Sequence, residues 1–523
     1  MPRRHAKLVV MLPQPAAGVQ EMSFAADAAP ELEVLEHRPI PKEQNTTAPK
    51  PAPPGGRKAS ARALAPDLLR GALTVLMAMD HNALALRTWP HGTAVNGEMD
   101  SAVVHEWNRP VAYFVRTLSH LCAPGFTFLL GMGVVYFGRS RTNLGWSAAQ
   151  MARHFLVRGV VLTLITEAIG LILTFGQLWF FNIILFALGV DYLLVGLLWL
   201  AVARTEQTLA WALLKVLPEK EKDDATEPLL QARGSGDEHA ALDRTIMRAA
   251  DISWHLHNVS LMALAVATIW WNIWLSPTGG HCGAEPHPLL PASSWVCVWF
   301  YEVKGPHVLS GLPPLAWLSF AVLGLVYGRV ILARAWSTRA IVAGNALAGA
   351  AFAGVFVLTR LYRFGNLTEG CLHMPEHDAA AAGANQFLAS AYSFFYIAKY
   401  PPDVSYWAFS MAGNFALLAV FAALPARPAA RALKVLLVFG SSALFFYVIH
   451  LFVIFGFGAA ARALLGSPAS FQDPLDDAPT IGVPSLYVYW AHLTLALALL
   501  YPLCQWYGAF KQTKGPNSIW RFF

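Results

Sequence analysis

The chain has 523 residues, of which 56% are hydrophobic and 13% charged, whereas an ordinary soluble domain carries roughly a quarter charged residues. This composition excludes a typical water-soluble globular protein and is typical of a chain solvated mostly by lipid. The net charge of +6 does not indicate a nucleic-acid partner, because the basic residues stand in short clusters between apolar runs, as membrane orientation signals do.

Residues 1–62 are rich in proline, alanine and charge, which predicts a disordered cytosolic tail. Residues 63–523 are predicted to form one transmembrane domain, because apolar segments of about 20 residues, the length that a bilayer core requires, recur through it. The predicted spans are 67–86, 117–137, 155–175, 178–203, 253–275, 312–333, 339–359, 404–424, 433–462 and 484–508. We therefore expect an all-α, polytopic transmembrane helical bundle of about ten spans. The ninth is long and is expected to be tilted or broken near Gly456-Phe-Gly.

Lysine and arginine residues cluster in every second connection between these spans. Because cytosolic connections carry the excess of Lys and Arg, both termini are predicted to be cytosolic. Residues 204–250 mix charges with Gly and Ser and are predicted to be a flexible cytosolic insert. The protein is accordingly expected to be a multi-pass protein of an endomembrane or of the plasma membrane.

The remaining connections are predicted to form the lumenal or extracellular face. They comprise 87–116, 276–311, 360–403 and 463–483, and they hold Cys282, Cys297, Cys371 and the sequon Asn366-Leu-Thr. Such a face is oxidising and open to glycosylation. A disulfide such as Cys282–Cys297 and a glycan on Asn366 are therefore expected there.

The first predicted span carries Arg70 near its cytosolic end and His81 toward the other end. The two are eleven residues apart, about 16 Å along a helix and close to three turns, so both side chains are expected on one face. A neutral imidazole can take a proton from an attacking hydroxyl or amine. Asp80 points roughly 100° away from His81, so the two form no obvious dyad. A structural role, with Arg70 as a membrane anchor and His81 at the interface, fits the same spacing.

Other polar residues interrupt the later spans. His120 and Pro124 open the second span, where Gly131 and Gly133 are expected to allow close helix contact. Ionisable residues within or beside the other spans are Glu167, Asp191, Lys399 in Lys399-Tyr-Pro-Pro402, His450 and His492. Such residues are costly in lipid, which makes each a candidate for function as well as for helix packing.

Several of these motifs together resemble a known family. They are Pro66-Asp-Leu-Leu-Arg70-Gly, Met77-Ala-Met-Asp-His81, Ser119-His-Leu-Cys-Ala-Pro124, Arg158-Gly159, Lys399-Tyr-Pro-Pro402, Leu444-Phe-Phe-Tyr-Val-Ile-His450 and Tyr501-Pro-Leu-Cys-Gln-Trp506. The pattern is similar to that of membrane proteins grouped with the catalytic domain of heparan-α-glucosaminide N-acetyltransferase. More distantly, it resembles the wider transmembrane acyltransferase superfamily, in which an arginine, ten residues and a histidine mark the first span.

The resemblance implies a membrane-bound acyltransferase. Acyl-CoA is then a co-substrate that binds from the cytosolic side, with no cofactor bound, and the acceptor is a hydroxyl or amine such as that of a glycan at the lumenal side. His81 acts as general base or transient acyl acceptor. Asp80, its neighbour in the sequence, is the other candidate catalytic residue. His120, Lys399 and His450 orient or bind substrate. Basic residues for the phosphates of CoA are Arg70, Arg139, Arg141, Arg153 and Arg158.

Two alternatives use the same polar residues. A proton-coupled transporter or permease would employ Glu167, Asp191, His450 and His492 as intramembrane relay or solute-binding groups. A bis-histidine haem protein would employ the membrane histidines as axial ligands.

Overall fold

The computed structural model describes residues 64–515, apart from 96, 218–234, 288–294, 306, 380, 382, 470 and 472–479, together with 518 and 520. The predicted tail, residues 1–62, lies outside this part of the chain. The fold is mainly helical. Two small sheets, one of three strands and one of two, join some of the connections.

The helices are α1 (Leu64–Leu86), α2 (Pro110–Ser119), α3 (Cys122–Asn143), α4 (Ala148–Leu173), α5 (Ile184–Val216), α6 (Ser235–Leu275), α7 (Cys297–Phe300), α8 (Pro314–Ala333), α9 (Thr338–Tyr362), α10 (Pro375–Asp378), α11 (Ala391–Phe395), α12 (Val404–Ala423), α13 (Ala426–Ala432), α14 (Lys434–Ser441), α15 (Ala443–Leu465) and α16 (Leu486–Gln512). The strands are β1 (Phe180–Asn182), β2 (Val303–Lys304), β3 (Val308–Ser310), β4 (Ser467–Pro468) and β5 (Ile481–Gly482), and a 3₁₀ helix covers Gln386–Leu388.

Within the described residues, nine helical segments are long and apolar enough to cross a membrane. They are Pro110–Asn143, Ala148–Leu173, Ile184–Val216, Thr245–Leu275, Pro314–Ala333, Thr338–Tyr362, Val404–Ala423, Ala443–Leu465 and Leu486–Gln512. Each overlaps one of the last nine predicted spans. The chain is thus a bundle of apolar helices of a kind compatible with a multi-pass membrane protein.

The first predicted span forms α1, a 23-residue helix that is not among those nine segments and that contains Asp67, Arg70, Asp80 and His81. The helix packs against α14, α15, α3, α12, α2 and α16. Near its start the backbone of Asp67 packs closely on Gly440 of α14, and at its end the carbonyl of Leu86 accepts a hydrogen bond from the N–H of Val483. Helix α1 therefore runs the length of the bundle with protein around it. Its polar side chains meet other side chains, where their cost is lower than in lipid.

The ninth predicted span is broken as expected, but the break is not near Gly456 and Gly458, where the sequence predicted it. The break is at Ser442, between α14 and α15, and α15 continues through Gly456 and Gly458. At the break the Ser442 hydroxyl donates a hydrogen bond to the carbonyl of Cys504 on α16. This hydrogen bond ties the break between α14 and α15 to α16.

The first and last parts of the predicted flexible insert, 204–250, are helical. Helix α5 continues to Val216 and α6 begins at Ser235, and residues 218–234 lie outside the described chain. Glu206 on α5 pairs with Arg329 on α8 at 2.9 Å, and the Glu206 carbonyl accepts from the hydroxyl of Ser253 on α6. The prediction was wrong for these helical parts because their charged residues bind other helices.

The connections predicted to share one face do meet at one end of the bundle. Isolated bridges join Met99 to Tyr400 and Val104 to Leu372. A disulfide joins Cys282 to Cys371, and not to Cys297 as the sequence analysis suggested. Proximity in the chain favoured Cys297, which is instead buried in the short helix α7.

The sequon asparagine lies inside this loop layer. Asn366 is only 5% exposed, and its Nδ2 donates to the carbonyls of Thr359 and Phe364, each at 3.1 Å. A glycan on this nitrogen would replace one of its two hydrogens, remove at least one of these hydrogen bonds and displace packed protein. The folded structure therefore does not favour the predicted modification.

Candidate active site

Three consecutive polar residues of α1 point to three different neighbours. Asp80 binds α2, His81 binds α15, and Asn82 binds α16. Successive side chains on an α-helix are about 100° apart, so one short segment reaches three helices. This confirms that Asp80 and His81 are not partners of each other.

His81 and His450 form a stacked imidazole pair. Nδ1 of His81 lies 2.8 Å from Nε2 of His450, and the ring planes differ by 14°. Nδ1 of His450 faces the carbonyl oxygens of Tyr447 and Phe446, at 2.5 and 3.1 Å. Carbonyl oxygens only accept, so that Nδ1 carries the hydrogen, and Nε2 of a neutral His450 is the acceptor. His81 then donates from Nδ1 and keeps a lone pair on Nε2, which has no hydrogen-bond partner among the described residues.

Arg116 on α2 links the two carboxylates of the site. Its Nη1 lies 2.8 Å from Asp80, while Nε and Nη2 bind one oxygen of Glu98 at 2.9 and 2.6 Å. The same guanidinium donates to Nε2 of His91 at 3.0 Å and approaches the Tyr400 hydroxyl at 3.3 Å. Arg116 is 2% exposed. A buried guanidinium of this kind is stable because carboxylates and further acceptors surround it.

Glu98 lies in the connection between α1 and α2, where hydrogen bonds to its carboxylate and its backbone fix its position. Its Oε1 accepts from the backbone N–H and the hydroxyl of Thr93, and its backbone N–H donates to the Tyr396 hydroxyl. Its φ of 77° lies in the left-handed region that favours glycine, at a cost of about 1–3 kcal/mol. Burial alone would raise the pKa of Glu98, but Arg116 and His120 beside it hold that pKa well below its ordinary value.

Lys399 brings a second positive charge to the site. It is 8% exposed, and its backbone N–H donates to the carbonyl of Glu98 at 2.8 Å. The ammonium lies 5.3 Å from the ring centre of Tyr400 and close enough to Asp80 and His81 to interact with both electrostatically. No hydrogen bond or ion pair joins this ammonium to any described residue. An unpaired cation near an unengaged imidazole nitrogen is suited to stabilising negative charge on a reacting group.

The remaining predicted site residues lie elsewhere. His120 is fully buried, with Nε2 3.3 Å from Oε1 of Glu98, so it supports that carboxylate. Arg70 pairs with Asp67 at 2.9 Å near the opposite end of α1. Arg70 also approaches the carbonyl of Gly440 on α14, as His81 approaches α15, so both face this pair of helices as predicted.

Sequence reasoning missed Glu98, Arg116 and His91. Arg116 could have been found from the sequence, because it is four residues before His120 and therefore on the same helical face as that candidate. Glu98 and His91 stand in an irregular connection, where no periodicity marks them.

Comparison with known proteins adds no assignment: no protein-family model and no curated protein matches this chain.

Proposed function

We propose that the protein is a membrane-bound acyltransferase that moves an acyl group from acyl-CoA to a hydroxyl or amine acceptor. The observation that carries the proposal is the lone pair on Nε2 of His81, which the contact with His450 leaves unengaged. Lys399 adds a nearby cation without a partner in the described chain. A base and an oxyanion stabiliser are the two groups that acyl transfer requires.

In the proposed reaction Nε2 of His81 accepts the proton of the acceptor hydroxyl or amine as that atom attacks the thioester carbonyl. Negative charge develops on the carbonyl oxygen and is stabilised by Lys399. The carbon–sulfur bond then breaks, and the CoA thiolate takes the proton from the His81 imidazolium. Asp80 has a positioning role, because its carboxylate binds Arg116 and not His81.

We infer that acyl-CoA enters from the cytosolic end of the bundle, where Arg70 lies. The acceptor, such as a glycan, binds at the loop-covered lumenal or extracellular end. His81 is five residues from the loop end of α1, which suits a reaction near that face. Both termini are then cytosolic, and the protein is integral to an endomembrane or the plasma membrane.

The proposal is tested with the purified full-length chain in lipid nanodiscs. Labelled acetyl-CoA is supplied with a panel of amino sugars and hydroxyl-bearing sugars, and acylated product and free CoA are both measured. The expected result is equal, protein-dependent formation of the two. Absence of product and of CoA binding across the panel would contradict the proposal.

One observation favours the alternative of a transporter. Asp191 on α5 is fully buried, and neither carboxylate oxygen has a hydrogen-bond partner among the described residues. Such a group is costly unless it binds a proton or a cation. Flux of a candidate solute into proteoliposomes without CoA, abolished by Asp191→Asn, would support the transporter. Retained acyl transfer in that variant would support the enzyme.

A further inference from the structure

Two arginines and a histidine lie together on α3 and α4, away from His81. We call Arg141, His154 and Arg158 the arginine cluster. The Arg141 guanidinium lies 4.7 Å from the ring centre of Trp146 and 5.2 Å from that of Phe137. Arg141 is close to the C-terminal end of α3, so it lies at the opposite end of that helix from the loop-covered active site.

Aromatic rings bring the members of the arginine cluster together. The His154 ring stacks on Phe137 with ring centres 4.2 Å apart, and it lies 6.4 Å from the ring of Tyr192 on α5. The Arg158 guanidinium sits 5.0 Å from the ring centre of that tyrosine. Both arginines interact electrostatically with His154 and Tyr192, so the two guanidinium groups converge on one place.

The arginine cluster lacks a carboxylate within the described residues. Neither Arg141 nor Arg158 forms an ion pair there, and Arg141 is 7% exposed with its Nε enclosed and without a hydrogen-bond partner. Two other buried arginines have acidic partners: Arg116 has Asp80 and Glu98, and Arg329 has Glu206. Arg360 is buried without an ion pair in the described chain, but it stands alone against the rings of Phe356 and Phe387, whereas the cluster holds two guanidinium groups. Two converging positive charges repel each other at low dielectric, and a bound anion would remove that cost.

We propose that the arginine cluster binds the phosphate groups of a nucleotide. Guanidinium groups match phosphate oxygens in a fork geometry and remain charged when buried. The ring of Trp146 provides a face for a planar base beside the phosphates. If the proposed acyltransferase function holds, the nucleotide is that of acyl-CoA, and this assignment selects Arg141 and Arg158 from the five arginines named for that role. A phospholipid headgroup offers the same phosphate chemistry.

The test uses the full-length chain in nanodiscs of zwitterionic phosphatidylcholine, titrated with CoA and with ADP in a calorimeter. Arg141→Gln and Arg158→Gln are each expected to raise the Kd by about tenfold or more, the effect of a lost charge-assisted hydrogen bond. Arg204→Gln is the matched control, because Arg204 is exposed on α5, the helix that carries Tyr192. Its Kd is expected to equal that of the wild type.

The other outcomes separate the possible sources of phosphate. Retention of phosphatidic acid that depends on Arg141 and Arg158, without binding of CoA or ADP, would support the phosphate site and contradict the acyl-CoA donor. Equal CoA affinity in the wild type and both variants would overturn the phosphate site and leave acyl transfer standing. If the glutamine variants do not fold, Arg141→Met and Arg158→Met remove the charge while keeping a long apolar side chain, and unchanged nucleotide affinity in both would equally overturn the proposal.

Discussion

His450 affects the proposed chemistry only through His81. Its backbone contacts fix which ring nitrogen of His81 carries hydrogen. We expect His450→Leu to lower kcat by about 10–100-fold with little change in KM, because the base loses its correct tautomer and orientation. His450→Gln retains an acceptor oxygen and should restore part of the rate. His492→Gln is the control, since His492 binds Asn82 and not His81. Equal kcat in all three variants would contradict a positioning role.

His91 gives the site a dependence on pH that can be measured. Burial and the neighbouring Arg116 lower the pKa of His91 from 6.5 to about 3. Between these values the unfolded chain binds a proton that the folded chain does not, so acidification from pH 6.5 toward 3 removes stability, by up to about 1.4 kcal/mol per pH unit from this group.

Thermal unfolding of wild type and His91→Gln should therefore be compared from pH 7 to pH 4. The stability of the wild type is expected to fall more steeply than that of the variant, because glutamine still accepts from Arg116 but does not titrate. Parallel curves for the two proteins would show that His91 is not held neutral.

At the residue scale, the sequence predicted the face of α1 but not its partners. Helical geometry alone placed Arg70 and His81 on one side. The partner of His81 is 369 residues away, and that contact is set by how α15 packs against α1. Spacing along the chain carries no information on such a pairing, and the same holds for the contact between Glu98 and Arg116.

At the scale of elements, two glycines of α3 differ in role although both were predicted to allow close contact. A Cβ on Gly131 would overlap the carbonyl of Ala321 on α8, whereas a Cβ on Gly133 would meet nothing within 4 Å. The prediction was wrong for Gly133, because two residues along a helix turn a side chain to another face.

Gly131→Ala is therefore expected to destabilise the protein, since α3 and α8 must separate to admit a methyl group. Gly133→Ala should be neutral or stabilising by up to about 1 kcal/mol from helix propensity. The unfolding temperatures of the two variants and of the wild type, measured in detergent, test this difference. A loss for Gly133→Ala as large as that for Gly131→Ala would contradict the observed packing.

The sequence predicted where the long helices occur better than it predicted where each helix begins and ends. Nine of the predicted spans could be recognised in the sequence from apolar stretches of about 20 residues, the length that a bilayer core requires. The break at Ser442 was missed because a tertiary hydrogen bond to Cys504 supports it, while Gly456 and Gly458 stay helical.

At the scale of the whole molecule, the helix proposed to hold the base carries four ionisable residues, Asp67, Arg70, Asp80 and His81, and lies among other helices. Within the described residues nine helical segments could cross a membrane, and α1 packs against six other helices. The site carries two carboxylates, Asp80 and Glu98, and two cations, Arg116 and Lys399. Its charges balance, so the His81 imidazole is not surrounded by net charge of either sign.

The most direct measurement is acyl transfer from labelled acetyl-CoA by wild type and His81→Gln in nanodiscs, with CoA affinity measured on the same samples. We expect kcat/KM to fall by about 10²–10⁴-fold in the variant, the usual contribution of a general base, while CoA affinity is unchanged. Transfer by folded His81→Gln at the wild-type rate would contradict this role of His81.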